Sequence, residues 1–121
     1  MCSCEKLDAY IAGAMRGYPN NNYDAFKKAA EVLTNKGLTF FDPSQENDSH
    51  LPFETCMRKD LNAVVNMCDT VVLIEGWRKS IGANAEVFSA MVCGKPVFEL
   101  HGETLVKIDT SIFQLPYLLG Q

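Results

Sequence analysis

Apolar residues along the chain fall into short blocks parted by polar stretches, and two kinds of block alternate. Residues 7–11 are apolar apart from Asp8 and run straight into Ala12-Gly13, the pattern of a buried strand ending in a tight turn. Residues 23–36 instead place Phe26, Ala29, Ala30 and Leu33 at helical spacing, with Gly37 as a C-terminal stop. Residues 38–41 predict a second strand. Residues 53–67 predict an amphipathic helix through Met57, Leu61, Val64, Val65 and Cys68. The run Thr70-Val71-Val72-Leu73-Ile74 is the signature of a strand covered on both faces. A third helix is expected over 83–93, beginning near Gly82 or Ala83 and ended by Gly94. Lys95-Pro96 then lead into a fourth strand over 97–100. From Glu103 onward the pattern is ambiguous, although 113–119 is apolar enough to pack on this subunit or on a neighbour.

Strands alternating with helices at this pitch predict βαβ units. The expected architecture is α/β, a flavodoxin- or Rossmann-like three-layer sandwich with a parallel sheet of four or five strands. Residues 1–121 are expected to form a single domain. Right-handed crossovers place ligands at the carboxyl ends of the strands. Function is therefore expected in the loops 12–22, 42–52 and 75–82. The middle one is polar, without internal pattern, and long enough for a lid or a binding loop.

Composition removes several classes. A formal charge of −4 gives no basic footprint for nucleic acid or an anionic membrane, yet a small anionic ligand needs only a local cluster of donors. No apolar run approaches the ~20 residues of a transmembrane helix. The start, Met1-Cys2-Ser3-Cys4-Glu5, lacks the apolar core of a signal peptide. Five cysteines at irregular spacing fit reduced thiols in a cytoplasm better than a disulfide framework. Cys2-x-Cys4 has no second Cys or His pair at zinc spacing, so no metal is expected. Neither G-x-G-x-x-G nor G-K-[ST] occurs, which argues against dinucleotide and P-loop sites.

Glu86 is the most informative carboxylate. On a helix beginning near Gly82 it would lie in the first turn, where the helix dipole favours its ionised form. Acidic residues there often do no more than stabilise the helix. Ser80, Gly82 and the N–H groups of the same helix start add a cradle for an anion or a hydroxyl. Asp60 reads as a solvated acid on the polar side of the second helix, or as the partner of Glu86 if the two converge, since paired carboxyls can divide glycosidic chemistry. Tyr10 either finishes the core or hydrogen-bonds a carboxylate at the sheet edge. Arg16 is either a solvated loop cation or an anion clamp. Trp77, the only tryptophan, either caps the core or stacks a flat heterocycle beside the site. Asp69 reads as structural, closing the turn into its strand.

Three ordered stretches resemble the nucleoside 2-deoxyribosyltransferase superfamily. Tyr10-Ile11-Ala12-Gly13-Ala14-Met15-Arg16-Gly17 is similar to its first strand and glycine turn. Asp60-Leu61-Asn62 followed by Cys68-Asp69-Thr70-Val71-Val72 is similar to its acidic helix and third strand. Ser80-Ile81-Gly82-Ala83-Asn84-Ala85-Glu86, then Gly94-Lys95-Pro96-Val97, is similar to its S-x-G-x-x-x-E helix and G-K-P strand. Within the superfamily the likeness leans to the 2′-deoxynucleoside 5′-phosphate N-hydrolase branch and to small phage and bacterial relatives. The resemblance implies an N-glycosidic bond hydrolase or deoxyribosyltransferase acting on a nucleoside or nucleoside 5′-monophosphate, without a cofactor, as a homodimer or larger homo-oligomer. It implies Glu86 as the nucleophile on C1′, Tyr10 as its orienting group, and Asp60 as the aid to base departure. Ser80, Arg16 and the N–H groups near Gly82 would hold the 5′ end, with Gly13, Trp77 and Asn84 completing the substrate-binding candidates. Two departures stand out. Ala14 replaces a serine that helps bind phosphate in the hydrolase branch, and Glu75-Gly76-Trp77-Arg78-Lys79 is unlike the classical transferases; Arg78 and Lys79 are placed to offset the lost serine. A protein that only sequesters or senses a nucleotide-like molecule is the alternative reading.

Overall fold

The computed structural model describes residues 6–47 and 50–109. Leu7–Ala12 forms β1, whose last four residues are buried on both faces. Tyr23–Asn35 forms α1 and turns Phe26, Ala29 and Leu33 onto one face of the sheet. Its end follows from Gly37, whose φ of 78° lies where a side chain would be strained. Phe40–Phe41 is a two-residue β2. The chain then passes through α2 (Pro43–Glu46) and α3 (Phe53–Asn62), and a wide π turn over Ala63–Met67 carries it into β3 (Cys68–Leu73). Helix α4 (Ile81–Val92), β4 (Val97–His101) and β5 (Thr104–Lys107) complete the order.

One sheet results, ordered β2-β1-β3-β4-β5, parallel except for β5, which pairs antiparallel with β4. Alternation along β3 explains the layers. Val71 and Leu73 face α3 and α4, meeting Val64, Val87, Ala90 and Met91, while Val72 and Ile74 face α1. The expected three-layer α/β sandwich with five strands is the observed fold. Among the described residues no helix is long and apolar enough to cross a membrane.

Some expectations shift. The segment 53–67 is not one regular helix: the π turn advances the phase, so Val64 is buried while Val65 is exposed, and Cys68 opens β3. The loop 42–52 has an internal pattern after all, because Asp42 caps α2 through Ser44 N at 2.9 Å and Pro43 occupies its first turn. Asp69 lies inside β3 with its side chain in solvent, 3.7 Å from Lys6, where an ion pair contributes little. The tail resolves into β5 as far as Lys107; residues 113–119, proposed for an intersubunit contact, lie outside the described residues, as do Cys2 and Cys4. Helix α4 leaves Ile81, Phe88 and Val92 exposed on its outer face.

Gly13 shows how tightly the end of β1 is packed. A Cβ there would sit 2.3 Å from Ile74 Cγ1. Gly13→Ala is expected to destabilise the domain by about 1–3 kcal/mol through overpacking, read as a lowered urea midpoint at unchanged slope. An unchanged midpoint would show that Ile74 yields freely.

Candidate active site

A cavity of about 740 Å³ opens at the carboxyl end of β1. There β2 lies to one side and β3 to the other, which is the switch point of the sheet. Tyr10 projects from β1, Asp60 from α3 and Glu86 from α4, and all three line this cavity. Tyr10 Oη donates to Glu86 Oε2 at 2.7 Å, and Asn47 Nδ2 donates to Asp60 Oδ1 at 2.8 Å. Tyr10 also stacks on Phe41, with ring centroids 5.5 Å apart, which fixes the direction of its hydroxyl.

The two acids are placed differently from the expectation. Helix α4 begins at Ile81, so Glu86 is its sixth residue, in the second turn, and is only 4% exposed. The dipole of the first turn is therefore not what governs its charge. Burial pushes its proton affinity well above the ordinary glutamate value; the Tyr10 hydroxyl pulls it down and the charge of Asp60 pushes it further up. Asp60 is not solvated either, at 5% exposed. Burial raises its proton affinity too, against the lowering hydrogen bonds from Asn47 and Tyr10. Burial and both neighbouring carboxyls raise Tyr10 itself, so its hydroxyl stays a donor. Two carboxyls desolvated in one cavity disfavour carrying two charges at once.

The far wall is the start of α4. Ser80 Oγ accepts from Ala83 N at 3.0 Å and caps the helix. The N–H groups of Ile81 and Gly82 precede that cap and lie in the part of the turn that has no intrahelical acceptor. Lys79, Ser80 and Gly82 line the cavity here, and Arg16, Gly13 and Ala14 line it from the β1 side. Arg16 Nη2 donates to Leu51 O at 3.1 Å, and its guanidinium lies 5.6 Å from the Phe53 ring centroid. That contact leaves several N–H donors of the fork unspent.

Two candidates are not brought to this cavity. Trp77 is 6% exposed and joins the core beneath α4. Its Nε1 donates to Glu99 Oε2 at 3.0 Å and Arg78 lies 4.6 Å over its ring, so the indole is turned away from this cavity. Asn84 lies outside the cavity lining; its amide bridges the carbonyls of Arg78 and Ser80 at 3.0 and 2.7 Å, bracing the turn. Arg78 is likewise spent, 3.3 Å from Glu99, which leaves Lys79 as the basic residue of that segment facing the cavity. Asn47, Tyr18, Tyr23, Asn20 and Asn21 line the cavity without having been singled out. No periodic signal marks them, because all lie in or beside loops. Among the described residues no three His, Cys, Asp or Glu side chains gather where a metal ion could sit.

Residues 7–99 match the family described as a domain of unknown function, DUF4406. No curated protein sequence matches the chain. Among solved structures, a 2-deoxyribosyltransferase from Bacillus psychrosaccharolyticus superimposes with a TM-score of 0.61 at 23% identity, covering 87% of this chain and 79% of that one. At that identity the likeness carries the fold.

Proposed function

This chain belongs to the DUF4406 family, and from that premise and the geometry of its cavity we propose that it is an N-glycosidic bond enzyme. Its substrate in this reading is a nucleoside or nucleoside 5′-monophosphate, and its reaction hydrolysis or deoxyribosyl transfer. One observation carries the proposal: the hydrogen bond between buried Tyr10 and Glu86, with buried Asp60 lining the same cavity. A site for binding alone has no use for two carboxyls held at such cost in desolvation.

In the proposed reaction Glu86 attacks C1′ as the carboxylate, a form that the Tyr10 hydroxyl favours against the larger opposing effect of burial. The bond from C1′ to the base nitrogen breaks as Asp60 gives its proton to that nitrogen. The result is a glycosyl ester on Glu86, a free base and an Asp60 carboxylate that the Asn47 amide stabilises. Water, or a second base, then attacks C1′ with Asp60 taking back the proton, and Glu86 leaves. The 5′ end faces Arg16, Lys79, Ser80 and the N–H groups of Ile81 and Gly82, a donor set suited to phosphate even with Ala14 in place of serine.

The test is direct. Wild type and Glu86→Ala are incubated with the four common deoxynucleosides and their 5′-monophosphates, and free base is followed by chromatography. Base release by wild type alone is the expected result. Tight binding without turnover in either protein would assign the cavity to sequestration instead.

A further inference from the structure

With Trp77 withdrawn into the core, the surface of the cavity suited to a flat heterocycle lies on the loop between β1 and α1. Between β1 and α1 the chain reads Tyr18-Pro19-Asn20-Asn21-Asn22-Tyr23. The three asparagines take φ of 52°, 53° and 61° in succession, a left-handed turn built without glycine. Asparagine tolerates this region better than most residues, but glycine adopts it at no steric cost. The backbone accepts either residue, so what each side chain touches decides whether it does more than turn the chain.

Asn22 has a structural reason, since its Nδ2 donates to Ala14 O at 3.0 Å and ties the loop to the end of β1. Asn20 and Asn21 have none: both are exposed, both line the cavity, and neither makes a side-chain hydrogen bond to another described residue. Tyr18 and Tyr23 flank them, line the same cavity and are themselves exposed. The hydroxyl of Tyr18 reaches to the β3–α4 loop, where a Cβ on Gly76 would lie 3.3 Å from it. Aromatic faces beside neutral amides, each with a donor and an acceptor, are the chemistry that stacks a nucleobase and reads its edge. The same groups are poorly matched to a phosphate, for which Arg16, Lys79 and the α4 start are the better partners.

We infer that the Tyr18–Tyr23 loop is the base-recognition element of this cavity, with the Asn20 and Asn21 amides reading the polar edge of the heterocycle. This rests on the proposed glycosidic activity for its setting. The left-handed backbone supplies a clean test, because glycine at both positions keeps the turn and deletes only the amides. Asn20→Gly/Asn21→Gly is expected to leave the melting temperature essentially unchanged. It should raise KM by roughly ten-fold or more for the base that wild type prefers, and flatten the preference among bases. The change should be alike for nucleosides and their 5′-monophosphates. Unaltered kinetics across the panel, or a loss confined to the monophosphates, would overturn the inference while leaving the activity standing. Should wild type release no base at all, the same eight compounds are titrated calorimetrically into both proteins. Binding lost in the variant supports the loop as the recognition element; equal binding, or none, overturns it.

Discussion

Replacing Glu86 with glutamine is expected to abolish base release and, at the same time, to raise the melting temperature at neutral pH. The first effect follows from removing the nucleophile, a loss on the order of 10³-fold or more. The second follows from burial. Glu86 has a folded proton affinity raised well above the ordinary glutamate value. A group raised in this way favours the folded state at pH below its unfolded pKa, and that contribution is lost as pH climbs through the folded value. Within that window each pH unit costs the wild type up to about 1.4 kcal/mol relative to a neutral amide. For a domain of this size that is about 4 °C in Tm per kcal/mol. Calorimetric melting curves from about pH 5 to pH 8 should therefore diverge, the variant gaining on the wild type as pH rises, with a residual slope left by Asp60. Parallel curves would show that Glu86 carries no such strain, and base release retained by the variant would remove it as nucleophile.

That divergence between stability and activity has a counterpart in the sequence. The strands, their order of appearance and the three-layer arrangement are legible because apolar runs and helical spacing are set by what must be buried. The two acids were harder to place, and the reason is the same in both. On α4 the inward face is Gly82, Ala83, Glu86, Val87, Ala90 and Met91; on α3 and the π turn it includes Asp60, Ala63 and Val64. Each acid occupies a core position of an otherwise apolar stripe. A pattern reading that scores only apolar residues assigns them to solvent, whereas a carboxyl at a core position is itself the signal of a site.

Loop residues are another matter. Trp77 and Tyr18 each sit in a polar stretch after a strand, and nothing in the spacing separates the one that fills the core from the one that faces the cavity. The difference is tertiary: Glu99 on β4 accepts the Trp77 N–H and fixes the ring inward, and its carboxyl is held below the usual glutamate value first by that bond. No local pattern links residues 77 and 99. The same holds for Asn47, whose significance depends on α3 bringing Asp60 against it.

Asp60→Asn should lose activity selectively, according to how much help the leaving base needs. General acid catalysis contributes about 10²–10⁴-fold, and an unmodified purine or pyrimidine leaves poorly without a proton on its ring nitrogen. A purine methylated at N7 already carries positive charge in the nucleoside and departs neutral, with no proton required. The variant is therefore expected to turn over N7-methyl-2′-deoxyguanosine at close to the wild-type rate while losing about 10²–10⁴-fold on deoxyguanosine. The pH profile supplies a second readout. Asp60 must be protonated to act, and burial raises its proton affinity, so wild-type kcat on the unmodified nucleoside falls as pH passes that raised value; in the variant this alkaline limb disappears. Asparagine still accepts the Asn47 hydrogen bond through its amide oxygen, so the wall of the cavity is preserved. An equal loss on both substrates would mean that Asp60 grips the ligand and gives it no proton. Glu86 would then be left as the one acid acting on the glycosidic bond.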